Sequence, residues 1–234
     1  MSGFWRKQLR NRLALLRFAP AAEWHFRRLW RQGLFAPIAQ LAARYGAGIP
    51  TTYPGAKYLH RYPSYLRENV ARGVQLRLAG SSPLRILDLG CGPGYFLLVC
   101  RAWGHTVMGL DVAGNQIFDR LIAELSLPRY EMAVRAGAPL PAEIGQYDLI
   151  TAFSIDFDEK PLQGAIWAEA EWTAFLTDIA AHLPAGGRLF LRLNLDKYGL
   201  QTVRDRPVLW TALSQHPQYD CLASNHRDVL LRRR

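Results

Sequence analysis

Between Arg85 and Val112 the chain commits itself to a parallel β-sheet. Arg85-Ile-Leu-Asp-Leu89 is a short apolar run carrying one acid, Gly90-Cys-Gly-Pro-Gly94 is a glycine-rich turn, and an apolar helix start follows from Tyr95. A second short strand ends in Gly109-Leu-Asp-Val112, with Asp111 lying 21 residues beyond Gly90. Strand, tight turn, crossover and strand in this order form a βαβ unit, whose two strands run parallel. Ligands of such sheets bind beyond the carboxyl ends of the strands, where the turn and Asp111 both fall.

The turn reads G-x-G-x-G, and Tyr95 stands where a dinucleotide-binding G-x-G-x-x-G loop would place its third glycine. That departure points away from a pyrophosphate ligand. Gly90, Gly92 and Gly94 give a sharp turn and let a ligand lie against bare backbone, and Pro93 stiffens it. An acid at Asp111 can accept both hydroxyls of a ribose and would repel a 2′-phosphate. S-adenosylmethionine (SAM), with an amino acid, a ribose and an adenine but no phosphate, suits this set.

Leu87-Asp-Leu-Gly-Cys-Gly-Pro-Gly94 resembles the first motif of the class I SAM-dependent methyltransferases, and Asp111 resembles their ribose-binding acid. Gln146-Tyr-Asp-Leu-Ile-Thr-Ala-Phe153 is similar to their fourth strand, and Leu183-Pro-Ala-Gly-Gly-Arg-Leu-Phe-Leu191 to the turn into their fifth. The likeness spans residues 84–194. It implies an α/β fold: a Rossmann-like seven-stranded methyltransferase sheet with helices on both faces and an antiparallel terminal hairpin. It also implies an enzyme with SAM as cofactor, held by Asp88, Gly90, Cys91, Gly92, Gly94, Asp111, Val112, Phe153 and Ser154. Within this set Cys91 reads as a small packed residue and not a nucleophile. Asp88 is expected both to position the loop and to face the ligand. One departure concerns the stretch after the third strand, Ala133-Val-Arg-Ala-Gly-Ala-Pro-Leu-Pro141, which lacks the acid or amide that many members place near the adenine.

The net charge of +10 is unevenly placed. Residues 1–80 hold fourteen Lys and Arg against two acids, Glu23 and Glu68, whereas the remaining fifteen bases meet seventeen acids. Two regions follow: a basic helical N-terminal extension and lid over 1–80, and a SAM-binding domain over 81–234. Cys91, Cys100 and Cys221 have neither metal-ligand spacing nor an even disulfide set, so no metal is expected and a reducing cytoplasm fits. No apolar run approaches the length of a membrane span.

Helical periodicity runs through the first 48 residues. Leu9, Leu13 and Leu16 mark one helix, Trp24, Phe26, Leu29 and Trp30 a second begun by Pro20, and Leu34 to Tyr45 a third. Pro63-Ser64 opens another that ends near Gly80. Strands are expected at 85–89, 106–111, 130–134, 147–153 and 187–194, and helices at 94–103, 115–126 and 169–183. Pro207 starts a helix ending near His216, and 219–223 with 228–232 form a hairpin.

Three readings of the basic helices stay open: a solvated cap, attachment to an anionic membrane surface, and binding to nucleic acid. The segment Lys57-Tyr58, Arg61-Tyr62 and Tyr65 resembles a lid in the family, which implies Lys57 or Arg61 on the methionine carboxylate. The segment after the fourth strand, Phe153-Ser-Ile-Asp-Phe-Asp-Glu159, is where an acceptor is expected. Asp156 is the candidate catalytic base there. The D/N-P-P-Y/F sequence of enzymes that methylate base amines is missing, since Ser154-Ile-Asp-Phe157 takes its place. The expected function is methyl transfer to an oxygen or nitrogen of a small-molecule or lipid-like acceptor. The alternatives are an RNA or protein methyltransferase docking through its basic helices, and a SAM-binding scaffold without turnover. His60, His105 and His182 show no catalytic spacing, and Trp167 with Trp172 either walls a pocket or anchors a helix on the sheet.

Overall fold

The computed structural model describes residues 19–155, 167–194, 202–225 and 227–234. The chain divides into two compact units, one of residues 1–83, 93–105 and 114–127, the other of residues 84–92, 106–113 and 128–234.

The second unit is built on a seven-stranded sheet in the order β3-β2-β1-β4-β5-β7-β6. Its strands are β1 (Arg85–Leu89), β2 (Thr106–Asp111), β3 (Arg129–Glu131), β4 (Leu149–Phe153), β5 (Arg188–Arg192), β6 (Tyr219–Ser224) and β7 (Asp228–Arg233). The first five run parallel, and β7 pairs antiparallel with both β5 and β6. The α/β class, the sheet and the antiparallel hairpin are those expected from the sequence.

Alternate strand positions make one apolar face, because side chains along a strand point to opposite sides in turn. Leu87, Leu89, Ile150, Ala152, Leu189, Leu191, Val229 and Leu231 form a single core cluster. Two helices of this unit contribute to that cluster, numbered here by their place in the chain: α7 (Glu169–Ala181), with Trp172, Leu176 and Ile179, and α8 (Pro207–Gln215), with Leu209 and Leu213. Trp172 is fully buried and its ring lies 4.9 Å from that of Trp167. Each of these side chains contributes roughly 1.5–3 kcal/mol on leaving water. Both tryptophans therefore anchor the helix on the sheet.

The other unit is helical among its described residues. It holds α1 (Ala19–Arg31), α2 (Ala36–Tyr45), α3 (Ala56–His60), α4 (Tyr62–Gln75), α5 (Tyr95–Ala102) and α6 (Gln116–Glu124). Phe26 and Leu29 of α1 and Leu66 and Val70 of α4 are buried. Between α4 and α5 the packing is tight: a Cβ on Gly73 would lie 2.2 Å from the Trp103 ring. Gly73, mid-helix where glycine costs roughly 1 kcal/mol relative to alanine, is there so that the indole can sit against the backbone.

Several boundaries differ from expectation. The helix opened by Pro63 ends at Gln75 and not near Gly80, because Arg77 turns to a φ of 57° and Leu78 N–H donates to Gly73 O. The third strand covers only 129–131, since Arg135 folds back in a bridge to Ala138. The fourth begins at Leu149, as Tyr147 N–H is taken by His182 O and Asp148 N–H by Arg85 O. The short helix Ala56–His60 had no sequence signal beyond the glycine before it. The expected helix over Leu9 to Leu16 lies outside the described residues.

Candidate functional site

The carboxyl ends of β1 and β2 meet in a small backbone network. Gly90 N–H and Cys91 N–H both donate to Leu110 O, at 2.7 and 3.2 Å, so the turn leaving β1 is tied to the end of β2. Gly92 N–H donates to Asp111 Oδ2 at 2.6 Å, and Val112 N–H donates to Asp111 Oδ1 at 2.8 Å. Both carboxylate oxygens are thus oriented by main chain. Gly90 and Gly92 have φ of 67° and 55°, in the left-handed region that a side chain disfavours.

Asp88 is almost fully buried. Register explains its partner: Asp88 of β1 lies opposite Thr151 of β4, whose hydroxyl donates to Asp88 Oδ1 at 2.7 Å. The acid two residues before Gly90 therefore locks the β1 end to the neighbouring strand. Cys91 is buried, and its thiol is pushed far above the usual range by burial first, then by the Asp88 and Asp111 carboxylates. A thiol so held stays protonated and is no nucleophile. Val112, beside Asp111, is 49% exposed.

The end of β4 carries the second group of expected residues. Phe153 is half-buried against Phe190, ring centroids 5.4 Å apart. Ser154 takes a φ of 58°, uncommon for a non-glycine residue. Hydrogen bonds hold it from both sides: its N–H donates to Arg192 O at 2.8 Å, and its carbonyl accepts from Asn194 Nδ2 at 2.5 Å. Ile155, next in the chain, comes down on the bare face of Gly90, where a Cβ would lie 3.2 Å from Ile155 Cδ1. Arg192 continues this edge through a two-pronged ion pair, its Nε and Nη2 donating to Asp228 Oδ1 and Oδ2 at 2.7 and 2.9 Å. Neither Asn194 nor Arg192–Asp228 was signalled by the sequence, since no motif spacing links β5 to β7. Asp156 lies outside the described residues, as do Asp158 and Glu159.

In the helical unit, Gly94 caps α5 with a φ of 76°, and a Cβ there would lie 2.5 Å from Leu127 Cδ1 and 2.7 Å from Ile122 Cδ1. Its need for glycine is packing within its own unit. Tyr95, the next residue, donates from its hydroxyl to Tyr58 O at 2.8 Å. Asn115 accepts from Ile117 N–H and Phe118 N–H as the cap of α6 and donates from Nδ2 to Pro54 O at 3.3 Å. Residues 54–58 are thereby fastened to the first residues of α5 and α6. Lys57 Nζ sits 5.1 Å above the Tyr58 ring and 6.0 Å from that of Tyr65.

His60, His105 and His182 each bond a backbone carbonyl, of Ile49, Leu78 and Gly145 respectively. Among the described residues no cluster of His, Cys, Asp and Glu could hold a metal ion. A shallow depression of about 840 Å³ along α7, lined by Glu169, Thr173, Thr177 and Asp178, contains none of the expected site residues.

Residues 58–229 match a family model described as a methyltransferase domain. Among solved structures, the SAM-bound amino pentose methyltransferase CalS10 from Micromonospora echinaspora is similar at 15% identity and a TM-score of 0.52, over 80% of this chain and 98% of that one. TrmN from Thermus thermophilus is similar at 21% identity and a TM-score of 0.50, over 71% of this chain. This chain spans 49% of the TrmN chain. These two likenesses concern the fold. Among curated proteins none matches the sequence.

Proposed function

This chain belongs to the class I methyltransferase family, and from that premise we propose that it moves a methyl group from SAM to an oxygen or nitrogen of a small-molecule or lipid-like acceptor. The observation that carries the cofactor reading is the Asp111 carboxylate, fixed by Gly92 N–H and Val112 N–H at the mouth of β2. A carboxylate oriented by main-chain donors at the end of β2 presents the acceptor chemistry that ribose hydroxyls require. The residues fit SAM in another respect: the turn from Gly90 to Gly92 presents backbone and no cationic side chain, as a ligand without phosphate requires.

When bound, SAM supplies a methyl group already activated on a sulfonium, which leaves the protein to align an acceptor and exclude water. Asp88, Gly90, Cys91, Gly92 and Gly94 set the loop, and Asp111 with Val112 takes the ribose. Phe153 and Ser154 complete the residues proposed to hold SAM, at the end of β4 beyond which an acceptor is proposed to sit. The Ser154 backbone is held by Arg192 and Asn194, and Asp156, outside the described residues, is proposed as the base. Residues 81–234 are read as the SAM-binding domain and 1–80 as a basic helical extension and lid. The cell compartment proposed is the cytoplasm, with peripheral contact at an anionic membrane. Among the described residues no helix is long and apolar enough to cross one.

A second reading, an RNA or protein methyltransferase, draws support from the charge of the leading segment. Residues 19–83 carry nine Lys and Arg against two acids. Methyl-labelled SAM offered with separate pools of small hydroxyl and amine compounds, lipids, RNA and protein distinguishes the readings. Label in the small-molecule or lipid pool is the expected result. Label in RNA or protein transfers the function to the second reading, and SAM binding without labelling of any pool leaves a scaffold.

A further inference from the structure

Helix α1 divides its aromatic residues between two faces. Phe26 and Leu29 point inward, and the Arg67 guanidinium covers the Phe26 ring at 4.4 Å. Trp24 points the opposite way and is 57% exposed. At 100° per residue, Trp24, Arg27, Arg28 and Arg31 share the outward stripe. All three arginines are exposed, and Arg28 lies 5.6 Å from the Trp24 ring. Trp30, 43% exposed, flanks the stripe and stacks on Tyr62 with an interplanar angle of 7°. The single acid of the helix, Glu23, is drawn off by Arg27 at 2.8 Å and Arg67 at 3.4 Å.

A lone exposed apolar residue is ordinary. An exposed indole followed on the same stripe by three arginines, at the third, fourth and seventh residues after it, is a different matter. It adds nothing to the core, and a solvated cap would be served by any polar residue. Indole belongs where one side is apolar and the other wet, and arginines around it supply attraction to an anionic surface. Positions 24, 27, 28 and 31 lie along one line of a 13-residue helix, which suits contact with a flat surface better than entry into a groove.

We infer that the outer face of α1, with Trp24 followed along it by Arg27, Arg28 and Arg31 and with Trp30 at its edge, is a docking surface for an anionic lipid bilayer. The helix lies in the plane of the interface, its indoles at the level of the headgroups and its arginines on lipid phosphates. This rests on the lipid-like reading above and gives it a place of contact.

Co-sedimentation of the full chain with vesicles of phosphatidylcholine, with and without phosphatidylglycerol, tests it. Binding is expected only when phosphatidylglycerol is present. Trp24→Ala should weaken it at least about tenfold, from the lost burial of one large apolar side chain. Combined replacement of Arg27, Arg28 and Arg31 by Gln should weaken it on the order of a hundredfold, roughly fivefold for each charge near the surface. Arg77→Gln, which removes an exposed charge elsewhere in the same unit, should change it far less. Circular dichroism and SAM titration of each variant separate misfolding, and failure of the cofactor reading, from loss of docking. Equal affinity for both vesicle types, a Trp24→Ala protein that binds like the parent, or binding to single-stranded RNA in place of vesicles would each overturn the inference.

Discussion

The carboxyl edge of the sheet and the outer face of α1 are held in place by opposite means. At the sheet edge the expected residues are fixed by main chain and by partners across strands: Gly92 to Asp111, Asp88 to Thr151, Ser154 to Arg192 and Asn194. On α1 the charged side chains point to solvent, and Glu23 is shared by two arginines. The residues proposed to hold SAM lie on the hydrogen-bonded edge, and the charges proposed to dock on lipid lie on exposed side chains. The same contrast says where substitutions should hurt.

Arg192→Ala should give the largest loss. Its partner Asp228 is 8% exposed, and removing one member of a buried pair costs about 3 kcal/mol or more. By contrast, Arg27→Ala breaks an exposed pair whose arginine side chain is 67% exposed, and it should shift stability by less than about 1 kcal/mol. Urea unfolding of both variants checks the pair, and equal losses would break the comparison. Gly73→Ala should cost about 1–3 kcal/mol in spite of the better helix propensity of alanine, because Trp103 has to move. A more stable Gly73→Ala protein would show that the indole yields without strain.

The smallest effect concerns pH. His216 is buried between Thr177 Oγ1 at 3.2 Å and Thr173 O at 3.3 Å. Burial holds its pKa below the ordinary 6.5, with the Thr173 carbonyl acting the other way. Because the folded value is the lower one, the unfolded chain binds more protons below about 6.5, and stability falls as pH drops through that value. Unfolding midpoints measured on either side of it should show a steeper acid loss for the parent than for His216→Gln. Equal slopes would show that His216 does not contribute to the acid loss.

The parts of this fold that depend on neighbouring residues were legible in the sequence. A glycine turn, the strands around it and an acid at fixed spacing declare a βαβ unit, because the backbone conformations they demand exclude alternatives. The hairpin announced itself in the same way. Long-range arrangements stayed hidden. The Thr151 hydroxyl reaches Asp88 only because β4 pairs with β1 in a particular register, and Arg192 meets Asp228 only because β7 inserts beside β5. Ser154 adopts a left-handed backbone with no glycine to advertise it. Periodicity grouped Trp24 with Phe26, Leu29 and Trp30 as one apolar set, yet Trp24 faces water. The packing of Leu127 and Ile122 against Gly94, where a Cβ would clash, had no signal in the glycine spacing.

The central claim is that Asp111, oriented by Gly92 and Val112, receives the ribose of SAM. Calorimetric titration of the parent protein and of Asp111→Ala with SAM, and separately with NAD, tests it most directly. The parent should bind SAM and not NAD. Asp111→Ala should keep its fold by circular dichroism and lose at least about tenfold in SAM affinity, the worth of one charge-assisted hydrogen bond. Unchanged SAM affinity in Asp111→Ala, or a parent that prefers NAD, would contradict that claim.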